Sequence, residues 1–325
     1  MNLLRRQFLR LGAAAAALPA VSRIANAQSY PARPVRWIVG FTPAGGNDIT
    51  ARLIGQWLTE KLGQPFVIEN RPGAGTNIAA EAVINSPPDG YTLFLTNTSN
   101  TVNNSLYEKL SFDFIRDMMP VVGISRAPVV MVVDPSLPVK TVPEFIAYAK
   151  ANPGKINMGS AGIGATGHLA GELLQMVTGI KLVHVPYRGN APALTDLIAG
   201  QVQIVFPSSA SSIELVKTGK VRGLAVTGAV RLAALPELPT VADFVPGYEA
   251  SSLYGIGVPR NTPAEVIERL NREVNAALAD PKMKERFVDL GGTPFGGSPA
   301  DFGKLLADET EKWAKVVKFA GIKPQ

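Results

Sequence analysis

From Val35 onward the chain alternates short apolar runs with helix-like periodic stretches, each pair divided by Gly, Pro or Asn. That alternation is the pattern of βαβ units around a parallel sheet. Val35 to Phe41 is the first run, followed by a turn over Thr42 to Asn47. A helix is predicted from about Asp48 to Leu62, with Ile49, Leu53, Trp57 and Leu62 along one face and Gly63 as its stop. Phe66 to Glu69 reads as a second strand, Arg71 to Gly75 as a loop, Thr76 as an N-cap and residues 77–85 as a helix. Pro87 to Gly90 turns into a third strand over Tyr91 to Thr96. After a looser stretch the alternation resumes, with strands expected over 129–133, 156–160, 182–186, 202–206 and 221–226 and helices between them. The final third carries less strand pattern: one strand over 253–258, a helix from Pro263 to Ala279, a second to about Leu290 and a last one from Ser298 to Phe319. At roughly 150 residues per domain, 325 residues suggest two domains. The expected division is 28–126 plus 251–325 for the first and 127–250 for the second, with the two connecting segments acting as a hinge.

Composition narrows the chemistry. The chain has no cysteine, which excludes disulfides, zinc-thiolate and iron-sulfur sites, a cysteine nucleophile and a lipid anchor on an N-terminal cysteine. With only two histidines, His168 and His184, a histidine-rich metal site is not expected. The formal charge of +6 suggests nucleic acid or a membrane surface, but its location removes that reading. Residues 1–27 have a basic start, an apolar Ala-rich middle and Ala25-Asn26-Ala27 before a cleavage point, the pattern of a removable export signal. Arg5-Arg6-Gln7-Phe8-Leu9-Arg10 resembles the twin-arginine consensus. Arg5, Arg6, Arg10 and Arg23 leave with that segment and no acid does, so 32 − 4 = 28 basic residues face 26 acidic ones, a charge of +2. The apolar run Leu11 to Leu18 is far short of the ~20 residues that span a bilayer. The expectation is an exported protein outside the cytoplasm, without membrane anchor and with no nucleic-acid partner; a monomer is expected.

Three turns stand at predicted strand-to-helix junctions: Thr42-Pro43-Ala44-Gly45-Gly46-Asn47-Asp48, Gly162-Ile163-Gly164-Ala165-Thr166-Gly167, and Ser208 to Ser212. Each presents free backbone N–H groups and the positive end of a helix dipole at the edge of a parallel sheet, where open α/β folds bind ligands. One terminus contributes only ~0.3–1 kcal/mol when exposed and up to ~2 when partly buried. Micromolar binding needs ~8 kcal/mol, so several termini and side-chain donors must converge. The second turn is also a literal G-x-G-x-x-G, which leaves open an exported NADP-dependent oxidoreductase. The acid that should follow about 20 residues on is missing, and Val185-Pro186-Tyr187-Arg188 stands there instead. Met158-Gly159-Ser160-Ala161-Gly162 is not a nucleophile elbow, because its first Gly adjoins the Ser. His168 is expected to fix a loop or helix start and His184 to be structural, while Asp48 has a capping task in a first helical turn. Asp308, Glu309 and Glu311 read as a solvated helix face, and Arg71 and Arg188 as loop cations able to meet an anion.

Along the whole mature chain the sequence resembles receptors of the tripartite tricarboxylate transporter system, the solute-binding Bug family. The resemblance is carried by Phe41 to Asp48 with Ala51-Arg52; Glu69 to Gly75; Pro88 to Leu93; Gly159 to Gly164 with His168-Leu169; Val185 to Gly189 with Ala193 to Leu197; Leu238 to Val241; and Lys312-Trp313. It implies a two-domain Venus-flytrap fold of type II, each domain a mixed, mainly parallel sheet flanked by helices. It also implies a cofactor-free receptor that closes on a small carboxylate and delivers it to membrane transporter subunits, or else an adaptor that presents it to a sensor kinase. The ligand-binding positions it implies are Phe41, Ala44, Gly45, Gly46 and Asp48 on one side. On the other they are Ser160, Ala161, Gly162, Gly164, Thr166 and His168, with Tyr187, Gly189 and Ser208. Gly40, Thr166 and Gln203 depart from the family pattern, which commonly has Pro, Ser and Asp there.

Overall fold

Val35–Val39 forms strand β1, buried except at Arg36, and pairs in parallel with β2 (Phe66–Asn70) on one side and β3 (Thr92–Asn97) on the other. All six residues of β3 are buried, as the middle of a sheet covered on both faces requires. In this computed structural model residues 30–107 and 109–321 are described. The export signal expected over 1–27 lies outside the described residues. The chain divides into Met1–Ala32 and Arg33–Gln325, and the fold is that of the second unit.

The strands continue as β4 (Met118–Pro128), β5 (Val130–Val133), β6 (Asn157–Ser160), β7 (Val183–Pro186), β8 (Ile204–Val205), β9 (Arg222–Val226), β10 (Ser251–Pro259) and β11 (Thr293–Pro294). They make two sheets, ordered β11-β4-β10-β3-β1-β2 and β7-β6-β8-β5-β9. Both are mixed: β1–β2, β1–β3, β6–β7 and β6–β8 run parallel, and β5 and β10 run antiparallel to their neighbours. The sheets share one plan. β2-β1-β3 in one and β7-β6-β8 in the other lie side by side in parallel, then comes a strand antiparallel to them, β10 or β5, which the chain enters on crossing from the other sheet, then β4 or β9.

The chain changes sheets twice, from β4 into β5 and from β9 back to β10, and the two crossings lie against each other. Thr227, fully buried, joins them. Its hydroxyl accepts from the Val129 amide at 3.0 Å and donates to the Ala250 carbonyl at 2.6 Å.

Most helices follow from local signals. Gly46–Leu62 ends at Gly63 with φ 71°, the left-handed cap that glycine adopts without strain. Thr141, Asp280 and Ser298 accept backbone N–H bonds as N-caps of Val142–Ala151, Pro281–Asp289 and Pro299–Ala320. Thr76 differs from expectation. It precedes the helix Asn77–Ile84 at φ 79°, makes no cap bond, and its hydroxyl instead accepts from Asn100 at 2.8 Å. The looser stretch also proves ordered, as the helices Thr98–Leu106 and Phe114–Asp117 and the eleven-residue β4. Its sequence hides this, because Thr98–Leu106 is mostly Thr, Ser and Asn, which favour turns, and β4 is broken by Pro120 and Gly123. The helix is held by a capping box between Asn97 and Asn100 and by burial of nearly its whole surface.

Pro299–Ala320 packs its first half into the core of the first sheet through Phe302 and Leu306, and its second half into that of the second through Trp313, Val316 and Val317. Glu309, expected on a solvated face, is buried. It accepts from Arg126 at 2.8 Å and from the Trp313 indole at 2.7 Å, and this pairing is what makes a buried carboxylate tolerable.

Candidate functional site

The turn after β1 is shaped by its own acid. Asp48, 3% exposed, accepts from the Ala44 amide at 3.0 Å and from Arg52 at 2.9 Å. Burial pushes its carboxyl up, but the bonds from Arg52, Ala44 and Asn70 together hold it below the usual carboxylate range. Asn70 in addition donates to the Phe41 carbonyl at 2.9 Å, which fixes the backbone just past the strand end.

The turn after β6 is built from the inside. Ser160 is fully buried; its hydroxyl accepts from the Gly162 amide at 3.1 Å and lies 2.6 Å from His184 Nε2. The Gly164 amide donates to His168 Nδ1 at 3.1 Å, which leaves the proton of a neutral His168 on Nε2, facing Glu172 at 3.5 Å. The two imidazoles stack with centroids 3.8 Å apart. Burial first, and then the coulombic effect of His168, lower the pKa of His184 to about 3, so His184 stays neutral at ordinary pH. Gly162 and Gly164 sit at φ 129° and 74°, a backbone that side chains rarely adopt.

The two sheets meet through these turns. Ser208 accepts from the Gly46 amide and from Asn190, both at 3.1 Å, which ties the first turn to two helices of the second sheet. The Thr42 amide donates to the Arg188 carbonyl at 3.4 Å. Gly189, Gly46 and Gly164 stand where the chains come closest. A Cβ on Gly189 would fall 2.0 Å from Thr42 Oγ1, one on Gly46 2.6 Å from the Tyr254 hydroxyl, and one on Gly164 2.7 Å from Leu106.

Between the turns lies a narrow cavity with about 20 Å³ of free space, room for about one water. Asn47, Ser99, Thr166, Asn190 and Ser208 line it, each from the cap or first turn of a different helix: Gly46–Leu62, Thr98–Leu106, Thr166–Thr178, Asn190–Ile198 and Ser209–Lys217. Phe41, Phe206 and Tyr254 wall it, and no charged side chain among the described residues lines it. Burial raises the Tyr254 hydroxyl to about 12, so it remains a neutral donor. Five positive helix ends on an uncharged, enclosed space make a place where an anion is favoured and a cation is not.

Of the residues singled out from sequence, Phe41, Ala161, Thr166 and Ser208 line this cavity, and Phe41, Ala161, Gly162 and Tyr187 line a larger chamber beside it. Gly45 caps the first helix, Gly46 bonds Ser208, and Ala44 bonds Asp48. Gly164 and Gly189 are contact points between the halves. Asp48, Ser160 and His168 stand behind the turns and set their shape. Asn97, Ser99, Asn190, Ser252 and Tyr254 carry no mark in the sequence reading, and Asn47 is marked only as part of its turn. The density of Asn, Ser and Thr just after β3 was a usable signal for Asn97 and Ser99. Ser252 and Tyr254 had none, because they arrive on an antiparallel strand from far along the chain. The G-x-G-x-x-G glycines serve packing: a Cβ at Gly167 would lie 2.3 Å from the Phe206 carbonyl oxygen.

Two mixed sheets of one plan, with helix N-termini lining the cavity between their turns, define the fold of a solute-binding protein. The chain belongs to the tripartite tricarboxylate transporter family receptors, whose family model matches residues 50–322. It is 35% identical over 301 residues to the protein BugT of Bordetella pertussis, covering 92% of each chain. A structure of an R. palustris protein with adipate superposes with a TM-score of 0.89 at 41% identity, over 91% of this chain and 100% of that one. MatC from Rhodopseudomonas palustris with bound malate gives 0.84 at 30% identity, over 89% and 100%.

Proposed function

We propose that this receptor captures a small organic carboxylate in the cleft between its two sheets and delivers it, in the periplasm, to membrane subunits of a tripartite tricarboxylate transporter. The observation that carries this reading is the convergence of five helix N-termini on one uncharged cavity. At up to ~2 kcal/mol for each partly buried terminus, five termini together with the hydroxyl and amide donors reach the scale of the ~8 kcal/mol that micromolar binding needs. The two similar structures that hold adipate and malate support the same ligand class. The domains would be 28–126 plus 251–325 and 127–250, moving about the paired crossings at Val129 and Thr227. The ligand would meet Phe41, Thr166 and Ser208 directly, with Asp48, Ser160 and His168 holding the turns. The reading involves no catalytic step.

A panel of carboxylates added to the purified mature protein tests it. A ligand at about 100 times its Kd stabilises the native state by ~2.7 kcal/mol, a readily measured rise in Tm. If no carboxylate shifts the melt and native mass spectrometry finds the protein empty, the proposal fails.

A further inference from the structure

A separate hollow of about 260 Å³, sharing no lining residue with the cavity among the helix ends, lies beside the two crossings between the sheets. One wall comes from the first sheet and its helices, with Arg126 near the end of β4 and Val288 of the helix Pro281–Asp289. The other is the loop after β9, with Val230, Arg231 and Leu232. The walls meet tightly at one point. The Ser209 hydroxyl donates to the Leu290 carbonyl at 2.9 Å, and a Cβ on Gly291 would fall 2.7 Å from Ser209 and 3.2 Å from Leu232. The shape of the hollow therefore depends on how the two halves are placed against each other.

Each wall carries the same pair of features, an exposed valine and an arginine. Val230 is 75% exposed, more than any other large hydrophobic residue among those described, and Val288 opposite it is 46% exposed. A single exposed apolar side chain is ordinary, but two on facing walls of one hollow, with Leu232 between them, form a contiguous patch of the kind that marks a contact surface. The volume falls just short of the ~300–1,000 Å³ of small-molecule sites, which suits side chains of a docked segment better than a free metabolite. Arg126 and Arg231 are the charged side chains that line it, and among the described residues no acid does. Arg231 is loosely held, 3.4 Å from the Pro236 carbonyl and 3.8 Å from Asp243. Arg126 donates to Glu309 yet keeps 35% of its side chain exposed. An apolar hollow with a guanidinium on each wall fits a segment that offers an apolar side chain next to a carboxylate, and it disfavours a second copy of this face, which would set guanidinium against guanidinium.

We infer, on the basis of the delivery reading above, that this hollow is where a membrane subunit of the transporter docks and senses closure. An extended segment of that subunit inserts an apolar side chain between Val230 and Val288 and pairs an adjacent carboxylate with Arg231. Because the walls belong to different halves, the segment binds the arrangement described here better than one in which the halves have parted. That differential affinity lets the carrier tell a loaded receptor from an empty one. The test supplies the receptor, on its own export signal, to cells of its source organism that lack their own copy. Val230→Glu, Val288→Glu and Arg231→Glu are expected to melt with the native protein and to bind the tightest carboxylate of the panel within about twofold of it, since all three positions are exposed. Uptake of that carboxylate is expected to fall by about tenfold or more in each, because an acid then faces the incoming acid. Arg231→Lys should retain most of the uptake. Benzoylphenylalanine in place of Val230 in the otherwise native chain should photo-crosslink to a membrane subunit, and do so only when the carboxylate is present. Native uptake by the three Glu variants, a crosslink that ignores the carboxylate, or a crosslink to lipid or to a second copy of this chain overturns the inference and leaves carboxylate capture standing. A native receptor that binds a carboxylate but restores no uptake overturns delivery and the docking site together, and one that binds no carboxylate overturns the capture reading as well.

Discussion

At the residue scale, the positions that matter most are those where a side chain is absent. Gly46 has an ordinary helical backbone, so its glycine is required by what it faces: the Tyr254 hydroxyl 2.6 Å and Ser208 Oγ 2.8 Å from where a Cβ would be. Gly46→Val sets side-chain atoms against Tyr254 of its own half as well as Ser208 of the other, and is therefore expected both to lower the melting temperature of the ligand-free protein by several degrees and to weaken carboxylate binding by about tenfold or more. Calorimetric titration beside a thermal melt separates the two effects, and undiminished affinity would remove Gly46 from the closing contact. His184 offers a pH prediction. Unfolded, it titrates near 6.5, and in the fold it is lowered to about 3 by burial and by His168. The unfolded chain thus takes up a proton that the native state refuses. The native stability is complete above about 6.5 and is lost progressively as the pH falls toward 3. His184→Gln, which keeps a polar partner for Ser160, should melt with a shallower decline over that range; coincident profiles would mean the stacked pair does not carry the acid sensitivity.

At the element scale, two pieces of secondary structure bind the halves together. Thr227 fastens the adjacent crossings by hydrogen bonds to Val129 and Ala250, all of it out of water. Thr227→Val keeps the shape and leaves the Val129 amide and Ala250 carbonyl short of a partner, which costs about 1–3 kcal/mol. Differential scanning calorimetry should show a Tm lower by several degrees, and an unchanged Tm would show that water replaces the hydroxyl there. The helix Pro299–Ala320 reaches from one core to the other with Glu309 midway, bonded to Arg126 and Trp313. Glu309→Ala would leave the buried Trp313 indole N–H and the Arg126 guanidinium without this acceptor.

At the scale of the whole molecule, the halves are joined by the helix Pro299–Ala320 and, at their facing rims, by hydrogen bonds such as Gly46 to Ser208, Thr42 to Arg188 and Ser209 to Leu290. A ligand that binds both rims adds what the bare contact lacks, so it shifts the population toward closure by its differential affinity. Small-angle scattering should show the radius of gyration falling when a binding carboxylate is added, and an unchanged radius at saturation would mean the protein rests closed. The order of strands and helices, their glycine and proline stops and most of their caps were legible in the sequence, because periodicity and capping are set by residues within a turn or two of each other. The strand-to-helix turns at Gly45 and Gly164 were legible for the same reason. The helix Thr98–Leu106 and strand β4 were not, since their local composition argues for loop and only burial and the bonds from Asn100 and Asn103 to the 75–77 segment override it. Nor was it legible that Asp48, Ser160 and His168 point behind their turns while Ser99, Asn190 and Tyr254 line the cavity. Which side chains face an enclosed space depends on how segments far apart in sequence come together. Short-range pattern determined the parts of this protein, and only tertiary packing decided what those parts enclose.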